Sequence, residues 1–202
     1  MKLDANGVKI NLEQIKEIDK SKDNVLFLHG FTGCAEDWFP VLEQMPDKYN
    51  CIAVDIVGHG KSDAPGMQSY YSVESIVNQI KYVKDHLTPN KIFLLGYSMG
   101  GRIALSYASA YPDDLKGLIL ESASAGIKND EERQKRYEED LKLAEFIETH
   151  TLEEFIEMWN DQELFNTQRR FSNEKLKKIK KKKASGSKIG YANSLRGFST
   201  GI

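Results

Sequence analysis

The sequence predicts an α/β fold, a mostly parallel sheet with helices on both faces, opened by an antiparallel hairpin and followed by a helical lid. Three observations predict it. A turn-forming Asn6-Gly7 pair separates two short runs near the start, four strand-sized apolar runs alternate with helical patterns, and from Asn129 helical patterns continue without strands.

The hairpin comes first in the chain. Lys2-Leu3-Asp4 and Val8-Lys9-Ile10-Asn11-Leu12 flank Asn6-Gly7, residues that supply positive φ at both central positions of a tight turn. After a charged connection, Val25 to Leu28, Cys51 to Val54 and Ile92 to Leu95 each read as a buried strand, and a fourth run, Gly117 to Leu120, leads into Glu121. Between them, residues 73–87 place Ile76, Ile80, Val83 and Leu87 on one helical face, and Arg102 to Ala110 forms a second helix after the third strand. Strands alternating with helices imply a parallel sheet. The texture then changes: a charged helix carries Tyr137, Leu141 and Ala144 on one face, and a second helix opens at Thr151 with Glu154 three residues on, a capping box. Residues 1–128 are expected to form the N-terminal part of the sheet core, and residues 129–202 a helical lid with a basic C-terminal segment.

Composition narrows the class. A chain of 202 residues with 40% hydrophobic content suits one soluble domain. No apolar run approaches the length that spans a bilayer, and the polar start Met1 to Gly7 does not resemble a secretory signal. Cys34 and Cys51 make neither a disulfide framework nor a metal cluster, so a cytoplasmic protein without a metal or cofactor is expected. The net charge of −2 conceals an asymmetry: residues 168–202 carry eleven Lys or Arg against the single acid Glu174. The run Lys175 to Lys183 reads as the solvated end of a helix, so neither nucleic acid nor membrane is an expected partner.

The chemistry is concentrated in three turns. Gly96-Tyr97-Ser98-Met99-Gly100-Gly101 follows a strand and precedes a helix, the context required of a nucleophile elbow, and the helix N-terminus there favours negative charge. His29-Gly30-Phe31-Thr32-Gly33 closes the first parallel strand and fits the turn that donates the second oxyanion-hole N–H, so the amides of Phe31 and Met99 are expected to converge above Ser98. Asp55-Ile56-Val57-Gly58-His59-Gly60-Lys61-Ser62 is a third strand-end turn, in which His59, like His29, is read as structural.

With these motifs in this order, the chain resembles the α/β-hydrolase superfamily. Finer features are similar to the 2-succinyl-6-hydroxy-2,4-cyclohexadiene-1-carboxylate (SHCHC) synthase family of menaquinone biosynthesis. They are Leu28 to Gly33 with Asp37-Trp38, Gly96 to Arg102, Leu120-Glu121 leading to Gly126-Ile127, Glu132 to Arg136, Trp159, and Ala192 to Gly197. The resemblance implies elimination of pyruvate from a small, multiply anionic cyclohexene substrate by a Ser-His-Asp triad. It implies Ser98 as the catalytic serine and Arg102, Arg136 and Trp159 as substrate-binding residues, with Tyr97 as a further donor. Guanidinium groups suit that task because they bind carboxylates in a fork and keep their charge. Val57 and Ala125 stand where the family usually or often has proline, and one of Lys181 to Lys183 replaces a lid arginine.

The triad is the point of departure. In this fold the acid and the histidine follow the serine in the chain, yet the only histidine after Ser98 is His150, between two lid helices, and Glu121 is an alternative acid with no imidazole to orient. The expectation is a chain whose last strands are missing, as a fragment, a frameshift product or half of a split protein, with a C-terminal segment or second chain as the absent partner. Two other readings stand beside the synthase: a carboxylic-ester hydrolase of the same superfamily, and a non-catalytic fragment.

Overall fold

Six strands form one sheet in the order β1-β2-β4-β3-β5-β6. They are β1 (Lys2–Asp4), β2 (Lys9–Glu13), β3 (Asp23–Leu28), β4 (Tyr49–Val54), β5 (Ile92–Tyr97) and β6 (Leu115–Glu121). This is a computed structural model describing residues 1–202, the side chain of Arg169 excepted. β1 and β2 pair antiparallel with Leu3 opposite Ile10, and the turn between them has φ of 57° at Asn6 and 86° at Gly7, as the hairpin reading requires. β2 pairs antiparallel with β4, and β4, β3, β5 and β6 run parallel.

The parallel strands need crossovers, and on one face α2 (Val73–Leu87) joins β4 to β5 and α3 (Met99–Ala110) joins β5 to β6. Ser72 caps α2 by accepting from the Ser75 N–H, and Ile76, Ile80 and Val83 bury themselves against Leu26, Leu28, Leu94, Ile103 and Tyr107. Side chains so fully buried each contribute about 1.5–3 kcal/mol relative to exposure. The opposite face also carries a helix, as expected, but its cover is thinner. It is covered by a 3₁₀ turn (Ala35–Trp38) and the four-residue α1 (Phe39–Leu42), which pack Trp38 and Leu42 on Val25, Phe27 and Ala53, with Met45 beside them. Those short elements reach β3 and β4 but not β6, an edge strand on which Ile119 is 50% and Leu120 41% exposed.

The remaining helices are α4 (Asp130–Thr149), α5 (Leu152–Asn160), α6 (Asn173–Ala184) and α7 (Lys188–Gly197), with a 3₁₀ segment (Glu163–Arg170) between α5 and α6. The Thr151–Glu154 capping box is formed as read. On α4 the buried positions are Asp140, Ala144 and Ile147, with Tyr137 and Leu141 half-buried beside them. These helices close over a core of their own, in which Ala144, Ile147, Phe155 and Ile156 surround Tyr191, Ala192 and Leu195 of α7. Phe31, from the turn after β3, packs against both this core and that of the sheet. The lysine run on α6 is not wholly solvated: Lys182 pairs with Asp37 at 2.9 Å, and Lys183 is half-buried and donates to Asn160 Oδ1. Folding thereby brings part of the basic end onto the acidic body. Among the described residues no helix is long and apolar enough to cross a membrane.

Candidate active site

Ser98 stands between β5 and α3 at φ 52° and ψ −113°, a conformation that disfavours any residue with a Cβ. Such strain amounts to about 1–3 kcal/mol and persists only where the surroundings enforce it. Here the Ser98 N–H donates to the Glu121 carbonyl at 2.9 Å, and its own carbonyl accepts from the Arg102 N–H at 3.1 Å. The flanking glycines make the bend sterically possible. A Cβ on Gly96 would lie 2.3 Å from the Gly100 oxygen, and one on Gly100 would lie 2.4 Å from the Leu28 oxygen. No side chain fits at either place.

The turn after β3 lies directly against this bend, for a Cβ on Gly30 would come within 3.4 Å of Ser98 Cβ. It is closed by the Gly33 N–H donating to the Gly30 carbonyl at 3.0 Å, with Thr32 at φ 63°, a second strained residue. The backbone N–H groups of Phe31 and Met99 donate to no protein acceptor among the described residues. Both residues line, together with Ser98, a cavity of about 200 Å³. Arg102, Arg136 and Trp159 line the same cavity, so the structure brings together six of the seven residues singled out from the sequence. The seventh, Tyr97, does not join them. As the last residue of β5 it lines a neighbouring cavity of about 400 Å³ with Glu121, Phe165 and Lys183, Phe31 forming part of both walls.

The two arginines are held differently. Arg102 donates from Nη1 to the Phe198 carbonyl at 3.0 Å and from Nη2 to the Ser199 carbonyl at 2.8 Å, and its guanidinium lies over the Phe198 ring. Burial, and then repulsion from Arg136, lowers its pKa to about 10, so it stays charged at neutral pH. Arg136 is held through Nε, which donates to Asp140 at 2.9 Å, while its Nη1 and Nη2 meet no acceptor among the described residues. Trp159 and Thr200 also line this cavity, and each carries a buried polar atom without a partner, Trp159 Nε1 and Thr200 Oγ1. Asp140 and the segment Ser199–Thr200 were not legible as site residues, because only the tertiary fold returns them to Ser98.

The histidines lie elsewhere. His29 is buried beneath its turn, donating from Nδ1 to the Gly30 carbonyl at 2.8 Å while Nε2 accepts from the Ile56 N–H at 3.0 Å. Both nitrogens are engaged and burial lowers its pKa, so it remains neutral. His59 holds Val57 through Nδ1, and burial followed by repulsion from His29 lowers its pKa to about 3. The turn around it is tied by Asp55, which accepts from the Ala35 N–H, the Lys61 N–H and Asn11 Nδ2. His86 stacks on Tyr82 along α2, and the exposed His150 stacks on Phe146 with ring centroids 3.8 Å apart. Ser98 Oγ thus has no imidazole partner among the described residues.

Comparison with known proteins places this geometry in a family. A model of the alpha/beta hydrolase fold matches residues 23–177. A Bacillus subtilis (strain 168) protein provisionally named SHCHC synthase is 40% identical over 181 residues, covering 90% of this chain and 66% of its own length. A Haemophilus influenzae protein of the same provisional name is 36% identical over 172 residues, covering 83% and 67%. The chain therefore spans about two thirds of the length of these relatives. The solved structure of MenH from S. aureus superposes with a TM-score of 0.85 at 30% identity, covering 95% of this chain and 71% of that one. An enol-lactonase from Burkholderia xenovorans LB400, at 18% identity and a TM-score of 0.78, shares the fold. The chain belongs to the α/β-hydrolase family and is similar within it to the SHCHC synthases.

Proposed function

We propose that this chain carries the serine, oxyanion and substrate-binding parts of an SHCHC synthase, an enzyme that eliminates pyruvate from an anionic cyclohexene carboxylate in menaquinone biosynthesis. One observation supports the reading above others. Around Ser98 the residues lining a single cavity carry donors that lack acceptors: the amides of Phe31 and Met99, the Nη groups of Arg136, the indole N–H of Trp159 and the hydroxyl of Thr200. Donors left without protein acceptors in such number favour a ligand rich in acceptors, and two guanidinium groups select a multiply charged carboxylate. A simple ester would leave most of them unsatisfied.

In this reading Ser98 takes up the substrate proton, the amides of Phe31 and Met99 hold the oxygen on which negative charge accumulates, and the two arginines supply the positive charge that draws in the carboxylates. A serine hydroxyl is a weak base until an imidazole relieves it of its own proton. That imidazole and its acid belong to residues other than the 202 described, on the same polypeptide or on a second one. The exposed edge of β6, beside the Ser98 turn, is where such residues would approach. The test is pyruvate release from the family substrate, run beside hydrolysis of a small ester. The 202-residue chain should show trace elimination, and addition of the absent segment should raise it by several orders of magnitude, on the order of 10⁴–10⁶. Full turnover by the chain alone, abolished by changing His29 or His150, would overturn the assignment. The position of all four imidazoles away from Ser98 also favours a second, non-catalytic reading, which inactivity with and without the added segment would support.

A further inference from the structure

A buried carboxylate inside a cavity that is to receive an anion is electrostatically adverse, so its presence calls for a physical reason. Asp140 is 3% exposed and lines the Ser98 cavity. It stands one helical turn beyond Arg136, and its Oδ1 accepts from Arg136 Nε at 2.9 Å. Its Oδ2 accepts from Ser199 Oγ at 2.6 Å. Ser199, 2% exposed, also accepts through Oγ from the Gly201 N–H and through its carbonyl from Arg102. One carboxylate therefore joins both arginine-bearing elements. The pattern of guanidinium contacts says what this joint accomplishes. Arg102 has both terminal nitrogens engaged by backbone carbonyls, whereas Arg136 is held by its Nε edge alone and keeps its Nη1–Nη2 edge without an acceptor.

We propose that Asp140 is a positioning residue: by gripping Arg136 through Nε and Ser199 through its hydroxyl, it presents the free Nη edge of Arg136 to the Ser98 cavity as the principal carboxylate clamp. Arg102 then contributes charge and holds the 198–199 backbone more than it grips the ligand. The inference rests on the anion-binding reading above. A long arginine side chain free in solvent loses rotamer freedom on binding, and anchoring it beforehand removes that loss. An arginine held on one edge is also planar and oriented, so its other edge meets a carboxylate in a fork without rearrangement.

The test separates positioning from mere charge balance because the two predict opposite signs. Benzene-1,2-dicarboxylate is titrated into the full chain, with binding read by calorimetry and by Trp159 fluorescence. Asp140→Asn removes a negative charge, so a counter-charge role predicts tighter binding, whereas positioning predicts binding weaker by about tenfold or more. In an Arg136→Ala background the same substitution should then have no further effect on affinity. Independently of any ligand, the Nε–H of Arg136 should give a slowly exchanging NMR signal in the parent chain that is lost in Asp140→Ala. Tighter binding by Asp140→Asn, or an unchanged Nε–H signal in Asp140→Ala, overturns the proposal. Absence of dicarboxylate binding by the parent chain counts against the anion site itself, and the Nε–H signal still decides the role of Asp140. If Asp140→Ala does not fold, Ser199→Ala leaves the Arg136 contact intact and should retain the signal, while loss of it there would refute the division of roles.

Discussion

Replacing Gly100 by alanine tests the elbow at the place where the structure gives least room. The added Cβ would lie 2.4 Å from the Leu28 oxygen and 2.6 Å from the His29 oxygen, both backbone atoms at the end of β3. An ordinary carbon–oxygen contact is near 3.3 Å, so α3 and β3 must part by about 1 Å. β3 sits between β4 and β5 and cannot swing aside, and close-packed interiors do not absorb such a shift. Overpacking of this kind destabilises by about 2–3 kcal/mol. With a urea slope of roughly 2 kcal/mol/M for a chain of this size, the unfolding midpoint should fall by roughly 1–1.5 M. The same movement separates the Met99 amide from that of Phe31, so dicarboxylate affinity should fall as well. Gly66→Ala is the control, because a Cβ there meets nothing within 4 Å. It should be neutral or slightly stabilising. If Gly100→Ala unfolds at the same urea concentration as the parent, the close approach of α3 to the turn after β3 is wrong, and with it the placement of Ser98.

Two further outcomes follow from particular residues. The folded pKa of His59, about 3, lies below its ordinary value of 6.5, so the unfolded chain takes up the proton first. Its contribution to stability is complete above pH 6.5 and falls as pH drops toward 3, by up to about 1.4 kcal/mol per pH unit. An NMR titration showing the His59 ring protonating near pH 6.5 in the folded chain would refute its burial. Thr151 accepts from the Glu154 N–H and Glu154 accepts from the Thr151 N–H, so Thr151→Ala should lower stability by about 1 kcal/mol and leave dicarboxylate binding unchanged. Calorimetric melting checks the first part, and a loss of binding would show that α5 and Trp159 depend on this cap.

What the amino-acid sequence determined by itself was everything governed by neighbours in the chain. Asn6-Gly7 dictates its turn because positive φ is a property of those two residues. Glycine at 96 and 100 dictates the elbow because only a missing side chain lets β5 and α3 meet so closely. Apolar runs set the strands, the spacing of Ile76, Ile80 and Val83 set α2, and Thr151 with Glu154 set the start of α5. Tertiary structure decided what depends on distant partners. It divided the predicted site into two cavities, placing Tyr97 in one and Ser98 in the other, because β5 ends at Tyr97 and the chain turns sharply at Ser98 through a positive φ. It drew Lys183 out of the solvated run, since burial depends on where α6 comes to rest against Asn160 and Phe165. Above all it separated the roles of Arg102 and Arg136, which the sequence presents as equivalent cations. Which edge of a guanidinium is left free depends on carbonyls and a carboxylate brought together from 198, 199 and 140, and nothing in the local sequence of either arginine carries that information.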